Sequence, residues 1–228
     1  MEYPKINSLW KREGWYFDQG KKNSPDHQKG RQSLIIGDYA EQEFGNIKKW
    51  RVDEKVDGTN IRIYYTSVDF EDTKIRTYNF YGRTNNAQIP IHLQEYLNRE
   101  ITLGKLIECF GDARQVVLYG EGYGPKIQGC GGNYRSDPGF ILFDVFCSGW
   151  WLKWQDVIQI AQKLGVPSTP HIGEMTEDEI VDYVKSKPIS RCSMIPQMME
   201  GVICRSDPLV LFRNGNPVKF KLKCKEFT

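Results

Sequence analysis

A chain of 228 residues with 39% hydrophobic and 13% aromatic side chains can bury a sizeable core, as one large domain or two small ones, which excludes a disordered chain. Its 31 Lys and Arg against 29 Asp and Glu leave a net charge of only +2, so a globally basic protein is excluded and any nucleic-acid surface must be a local patch. The six cysteines form no C-x-x-C and match no zinc module, which predicts free buried thiols in a reducing compartment. The N-terminus carries Glu2, Lys5, Lys11 and Arg12 and no apolar leader core, and no apolar run approaches a membrane span. The expectation is a cytoplasmic protein without a membrane partner.

In chain order, residues 1–32 are polar and aromatic. Trp10, Trp15, Tyr16 and Phe17 are expected to pack on the main domain, Lys21 and Lys22 to form a solvated loop, and His27 to be incidental. Ser33–Gly37 is a short apolar strand candidate. From Val52 to Ile63, valine and isoleucine alternate with polar residues, the period of a strand, around Asp57-Gly58, whose glycine is expected to supply the positive φ of a tight turn. Lys55 is thereby predicted at a strand end, its amine free to reach into a cleft. Residues 61–68 and 74–83 both alternate and predict an antiparallel hairpin, ending in Gly82-Arg83-Thr84.

Pro90 opens a helical region with Leu93, Tyr96 and Leu97 on one face, then Leu103, Leu106, Ile107 and Phe110, stopped by Gly111. His92 is read as a surface helix residue. Val116–Tyr119 is a strand running into Gly120-Glu121-Gly122-Tyr123-Gly124, whose glycines are expected to let backbone approach a ligand. The Gly-Lys-Ser/Thr element of a P-loop is missing. Pro125–Tyr134 reads as an active-site loop, in which Lys126 is either a phosphate contact or a plain surface lysine. Phe140–Phe146 is a buried strand. Val157, Ile160, Ala161 and Leu164 mark an amphipathic helix closed by Gly165, and Thr176–Glu179 is a capping box opening a second through Ile180, Tyr183 and Val184. His171 falls in the loop between them and is read as incidental. Glu200-Gly201-Val202-Ile203 starts another strand. After the Asn214-Gly215 turn, lysines at 219, 221, 223 and 225 are expected on one face of a last strand. Taken alone, that strand is equally a solvated edge guarded by lysines.

Five of these stretches, in this order, resemble the motifs of the covalent nucleotidyltransferases: DNA ligases, RNA ligases and mRNA capping enzymes. Lys55-Val56-Asp57-Gly58-Thr59-Asn60 is similar to the nucleophile motif, Gly82-Arg83-Thr84 to the second, Gly120-Glu121-Gly122 to the third, Glu200-Gly201-Val202 to the fourth and Lys221-Leu222-Lys223 to the fifth. Phe143-Asp144-Val145 resembles the strand whose aromatic stacks on the purine. DNA ligases and capping enzymes usually carry arginine where this chain has Asn60, so the chain resembles most the ATP-dependent RNA ligase 2-like branch.

The resemblance implies an α+β adenylyltransferase domain, ATP-grasp-like, with antiparallel sheets flanked by helices; a single domain over 1–228 is expected, without the C-terminal OB-fold that DNA ligases and capping enzymes usually carry. Lys55 would attack the α-phosphate of ATP, and Lys221 and Lys223 would grip that phosphate, with Lys219 a register alternative. Glu200 would assist a Mg²⁺ or Mn²⁺ ion; Arg83 would contact phosphate, Glu121 the ribose, Phe143 the adenine, and Asn60 the nucleotide. Lysine attacks only as a neutral amine, and its ordinary pKa of about 10.4 must be lowered by burial and by neighbouring cations. The substrates would be RNA 3′-hydroxyl and 5′-phosphate ends in a nicked duplex, held over a small electrostatic footprint that calls for a template or a partner protein. The alternatives are a DNA ligase, a capping-type guanylyltransferase, and a catalytically idle nucleotide- or RNA-binding module.

Overall fold

A computed structural model describes residues 1–12 and 33–227. Short strands β1 (Asn7–Ser8) and β2 (Trp10–Arg12) precede β3 (Leu34–Tyr39) and β4 (Trp50–Lys55). The chain continues through β5 (Thr59–Phe70), β6 (Thr73–Tyr81), α1 (Ile91–Glu100), α2 (Leu103–Phe110), β7 (Gln115–Tyr123), α3 (Gly131–Tyr134), β8 (Gly139–Cys147) and β9 (Trp150–Trp151). It closes with α4 (Trp154–Leu164), β10 (His171–Met175), α5 (Glu177–Lys185), β11 (Gly201–Ser206) and β12 (Lys219–Lys223). Trp15, Tyr16, Phe17, Lys21, Lys22 and His27 lie outside the described residues. No helix among the described residues is long and apolar enough to cross a membrane.

The chain sorts into two compact units, each with its own core. The first comprises Met1–Pro4, Val56–Pro170 and Ser190–Gln197. Its antiparallel sheet has the order β6-β5-β7-β8-β9. Ile61, Ile63 and Tyr65 of β5, with Val116 and Leu118 of β7 and Leu142 of β8, bury one face against Leu93, Leu97, Leu106, Val157, Ala161 and Leu164 of the helices. The spacing of Val157, Ala161 and Leu164 gives α4 its apolar stripe, and Gly165, in the left-handed region at φ 75°, ends it. The hairpin is tighter than the alternation suggested. Its strands run on to Phe70 and resume at Thr73, because Glu71 takes a positive φ of 50° and lets Asp72 complete a two-residue turn.

The second unit comprises Lys5–Lys55, His171–Ile189 and Met198–Thr228. Its main sheet has the order β1-β12-β11-β4-β10, beside a β2-β3 ribbon. All its pairings are antiparallel except β1 with β12. Trp50, Val52, Val202, Cys204, Phe220 and Leu222 form one face, covered by Ile180, Val181 and Val184 of α5 and by Leu9 and Trp10. Both halves of the Thr176–Glu179 capping box are made. Trp10 joins the core as its type suggested, at 3% exposure.

Two expectations from glycines are corrected. Gly58 does not take a positive φ; a Cβ there would meet the carbonyl oxygen of Gly122 at 2.3 Å, so close backbone approach is what requires it. Gly120 and Gly122 do not open backbone to a ligand: a Cβ at either would strike the Phe140 ring or Leu93, so they are core contacts. Lys225 is corrected as well, since β12 ends at Lys223 and Lys225 sits in a 3₁₀ turn, Cys224–Phe227. His171 is not in a loop but opens β10.

Candidate active site

In the second unit, β4, β11 and β12 lie side by side, and directly opposed residues of antiparallel strands share a face. The register sets Lys55 opposite Gly201 and Gly201 opposite Lys223; Asp53, Ile203 and Lys221 make the next row, and Arg51, Arg205 and Lys219 the third. Phe220 and Leu222 point into the core, so Lys219, Lys221 and Lys223 face the other way. One sheet face thus gathers four of the motif residues, Lys55, Lys219, Lys221 and Lys223, and Glu200, just before β11, reaches Lys55 and Lys223 with its carboxylate.

Glu200 sits at their centre. Its Oε2 accepts from Lys55 Nζ at 2.6 Å, and its Oε1 pairs with Lys223 Nζ at 2.7 Å. Burial pushes the Glu200 carboxyl up, but the charge of Lys55 and the hydrogen bonds from Lys223 and Lys55 outweigh it and hold the group below the usual carboxylate range. Gly201 supports this packing: a Cβ there would meet Leu222 O at 2.1 Å. Lys221 has no carboxylate partner among the described residues. Burial, then the charges of Lys223 and Lys55, lower its pKa from 10.5 to about 8.

The sign of that shift gives a prediction. Between pH 8 and 10.5 the unfolded chain binds more protons at Lys221 than the folded one, so stability rises with pH through this window. Urea midpoints of the wild type should rise from pH 8 to pH 10 relative to those of Lys221→Met; parallel curves would contradict the assignment.

Sequence reading missed what lies behind Lys55. Asp53, two residues earlier and 2% exposed, takes Arg51 Nη2 at 2.9 Å, Arg205 Nε at 3.2 Å and His171 Nδ1 at 3.2 Å. The buried carboxylate ties β4, β11 and β10 together just upstream of the candidate nucleophile. Alternation from Lys55 would have placed Asp53 on the same face, but pairing between distant strands was not readable.

In the first unit, Asn60 on β5 is opposite Glu121 on β7, on the sheet face away from the helices. Asn60 Oδ1 is buried and accepts no hydrogen bond from the described residues, an acceptor that a ligand hydroxyl or amine would satisfy. Phe143 is the extra residue where the β7–β8 register shifts between Tyr119 and Gly120. Its half-buried ring meets Tyr3 edge-on at 5.1 Å, and Tyr3 OH donates to Asp144. Arg83 is exposed, in the bend after β6, and Lys126 is exposed with a positive φ of 61°.

Arg62, fully buried, was also missed. Its Nε donates to Gly82 O at 2.8 Å and its Nη2 to Asn85 Oδ1 at 3.0 Å, so it fixes the bend on both sides of Arg83. It lies two residues after Asn60, and the same alternation that sends Ile61 and Ile63 inward sends Arg62 to the face of Asn60. Arg62→Met would leave the carbonyl of buried Gly82 without its donor, at about 1–3 kcal/mol, while exposed Asn85 would turn to water. We expect a stability loss of about 2 kcal/mol in urea unfolding; a loss below about 1 kcal/mol would contradict this role.

Among the described residues no cluster of three or more His, Cys, Asp or Glu is arranged to hold a metal. Glu200 offers a carboxylate bridging Lys55 and Lys223, which suits a cation whose other ligands come from phosphate and water. All six cysteines are free thiols.

A family model described as RNA ligase matches residues 48–223. No curated protein matches the chain. Among solved structures, a mutant of Naegleria gruberi RNA ligase with ATP and Mn aligns at 16% identity and a TM-score of 0.50, covering 77% of this chain and 49% of that one. A mutant with AMP and Mn aligns at 16% identity and 0.51 over 79% and 51%, and an apo mutant at 16% identity and 0.52 over 81% and 52%. The chain spans about half the length of these proteins, whose likeness shows the shared α+β fold with antiparallel sheets.

Proposed function

The chain belongs to the RNA ligase family, and from that premise we propose that it is an ATP-dependent RNA ligase working through a lysyl-AMP intermediate. The observation that carries the reading is the Lys55–Glu200–Lys223 bridge, with Lys221 beside it on the same sheet face. Such a face combines a nucleophile with cations for a phosphate that gains charge in transfer.

In the first step Lys55, an ammonium while it is paired with Glu200, gives up a proton to water, and its Nζ lone pair forms a bond to the α-phosphorus of ATP. The bond from that phosphorus to the bridging oxygen breaks, and pyrophosphate leaves with the electron pair. The proton left on the nitrogen goes to water. Glu200 orients Lys55 and Lys223 and would offer an oxygen to Mg²⁺ or Mn²⁺. When bound, that ion would neutralise phosphate charge. Lys221 and Lys223 hold the α-phosphate. Glu121 accepts from a ribose hydroxyl, Asn60 Oδ1 accepts from the nucleotide, Phe143 contacts the adenine and Arg83 reaches phosphate.

In the second step an oxygen of the RNA 5′-phosphate attacks the adenylyl phosphorus, and the nitrogen–phosphorus bond breaks to return the pair, with a proton, to Lys55. In the third, the 3′-hydroxyl attacks the activated 5′-phosphate, loses its proton and expels AMP. Naegleria gruberi RNA ligase was solved with ATP, AMP and Mn, which agrees with the proposed nucleotide and divalent cation. Asn60 in the nucleophile motif supports the RNA ligase 2-like branch, and the free thiols support a reducing, cytoplasmic setting.

The test is sealing of matched nicked duplexes, one with ribonucleotides flanking the nick and one all-DNA, across salt concentrations. Ribonucleotide nicks should seal faster, with activity falling steeply as salt rises. Equal or better sealing of the all-DNA nick favours a DNA ligase, and no sealing or self-labelling favours an idle binding module.

A further inference from the structure

The second unit holds a basic pocket of about 210 Å³ in which the N-terminal strands meet the lysine strand. Five cations line it: Lys5, Lys11, Arg12, Lys221 and Lys223. The parallel pairing of β1 with β12, which sets Asn7 against Phe220 and Ser8 against Lys221, brings the N-terminal cations beside the lysine strand. Ser8 Oγ adds a hydrogen bond to Lys221 O at 3.3 Å.

Three of the cations are compensated. Lys11 pairs with Asp38 at 2.7 Å, Arg12 pairs with Glu226, and Lys223 pairs with Glu200 at 2.7 Å. Lys5 and Lys221 form no ion pair among the described residues, although Glu226 lies near enough to Lys221 to act on its charge, so the pocket keeps a net positive charge. At about 30 Å³ per water, its volume is about seven waters, room for a compact polyanion with part of its hydration.

The pocket shares Lys221 and Lys223 with the proposed α-phosphate grip, while neither Lys55 nor Glu200 lines it. A group held there would continue from the α-phosphate beyond the nucleophile's own contacts, where a leaving group belongs in an in-line displacement. We infer that this pocket binds the β- and γ-phosphates of ATP and the pyrophosphate they become, with Lys5 and Lys221 as direct contacts. The inference rests on the reading in the preceding subsection. An RNA 5′-phosphate shares this chemistry, and the experiment separates the two.

Lys5 is exposed, so Lys5→Ala and Lys5→Glu remove or reverse its charge without opening the core; Lys163→Glu, on exposed α4 surface, controls for net charge. Three measurements are needed on the full chain: pyrophosphate-driven loss of AMP from the adenylylated protein, sealing of RNA supplied with a 5′-adenylyl group, and calorimetric binding of inorganic pyrophosphate. Lys5→Glu should raise the pyrophosphate concentration needed for half-maximal AMP release by about tenfold, weaken calorimetric binding to match, and change sealing of adenylylated RNA by less than about twofold. Lys5→Ala should fall between wild type and Lys5→Glu, and Lys163→Glu should change nothing. An unchanged pyrophosphate response with impaired sealing would overturn the inference in favour of the RNA phosphate. Unchanged behaviour in all three measurements would overturn it outright. A wild type that takes no AMP label removes the ligase reading instead, and calorimetry with pyrophosphate still decides whether the pocket binds it.

Discussion

Lys55→Ala should take up no AMP when incubated with ATP labelled in the α-phosphate and a divalent cation, whereas the wild type should carry the label through a denaturing gel. Loss of a covalent nucleophile cannot be made good by neighbours that only bind, and the expected fall is more than about 10³-fold. Lys223 and Lys221 are also amines on this sheet face, so residual label in Lys55→Ala would show that one of them is the true acceptor. The bond in the wild type should be labile to acid and stable to base, as a phosphoramidate is. An unlabelled wild type would need one control before the reading is abandoned: treatment with pyrophosphate, to strip AMP acquired before purification.

The second large effect is expected at the carboxylate between the two lysines. Glu200→Ala removes the acceptor that Lys55 and Lys223 share, at 2.6 and 2.7 Å, and leaves two ammonium groups to repel each other. Self-labelling should fall by about 10²-fold, the scale seen when a preorganised electrostatic group is removed. Glu200→Gln keeps the shape but not the charge and should be nearly as impaired; full activity in Glu200→Gln would mean that the carboxylate only fills space. Lys221→Ala and Lys223→Ala should each slow labelling, and Lys219→Ala should matter less, because Lys219 is 4% exposed and lies two rows from Lys55. If Lys219 proved essential and Lys223 dispensable, the phosphate grip would shift by two residues.

Much of this arrangement is legible in the sequence because it depends on local pattern. A period of two sends Phe220 and Leu222 to the core and the lysines to the other face, and the Thr176–Glu179 capping box starts α5 where its residues require. What the pattern leaves out is pairing between segments far apart. Nothing local to Asp53 says that Arg205 and His171 will converge on it, so His171 reads as incidental until β10 is seen beside β4. The N-terminal strands are too short to announce themselves, and only their register with β12 brings Lys5 and Arg12 to Lys221. The glycines mislead in a different way. Gly120 and Gly122 look like a ligand-binding bend, yet their missing side chains make room for Phe140 and Leu93, a packing cause that composition cannot separate from a functional one.

The most direct test of the account is to locate the nucleotide. Wild-type protein, cleared with pyrophosphate and then incubated with ATP and Mg²⁺, should gain the mass of one AMP, and fragmentation of its peptides under mild alkaline conditions should place that mass on Lys55. AMP on a different residue, or no adduct at all after this treatment, would contradict the lysyl-AMP mechanism.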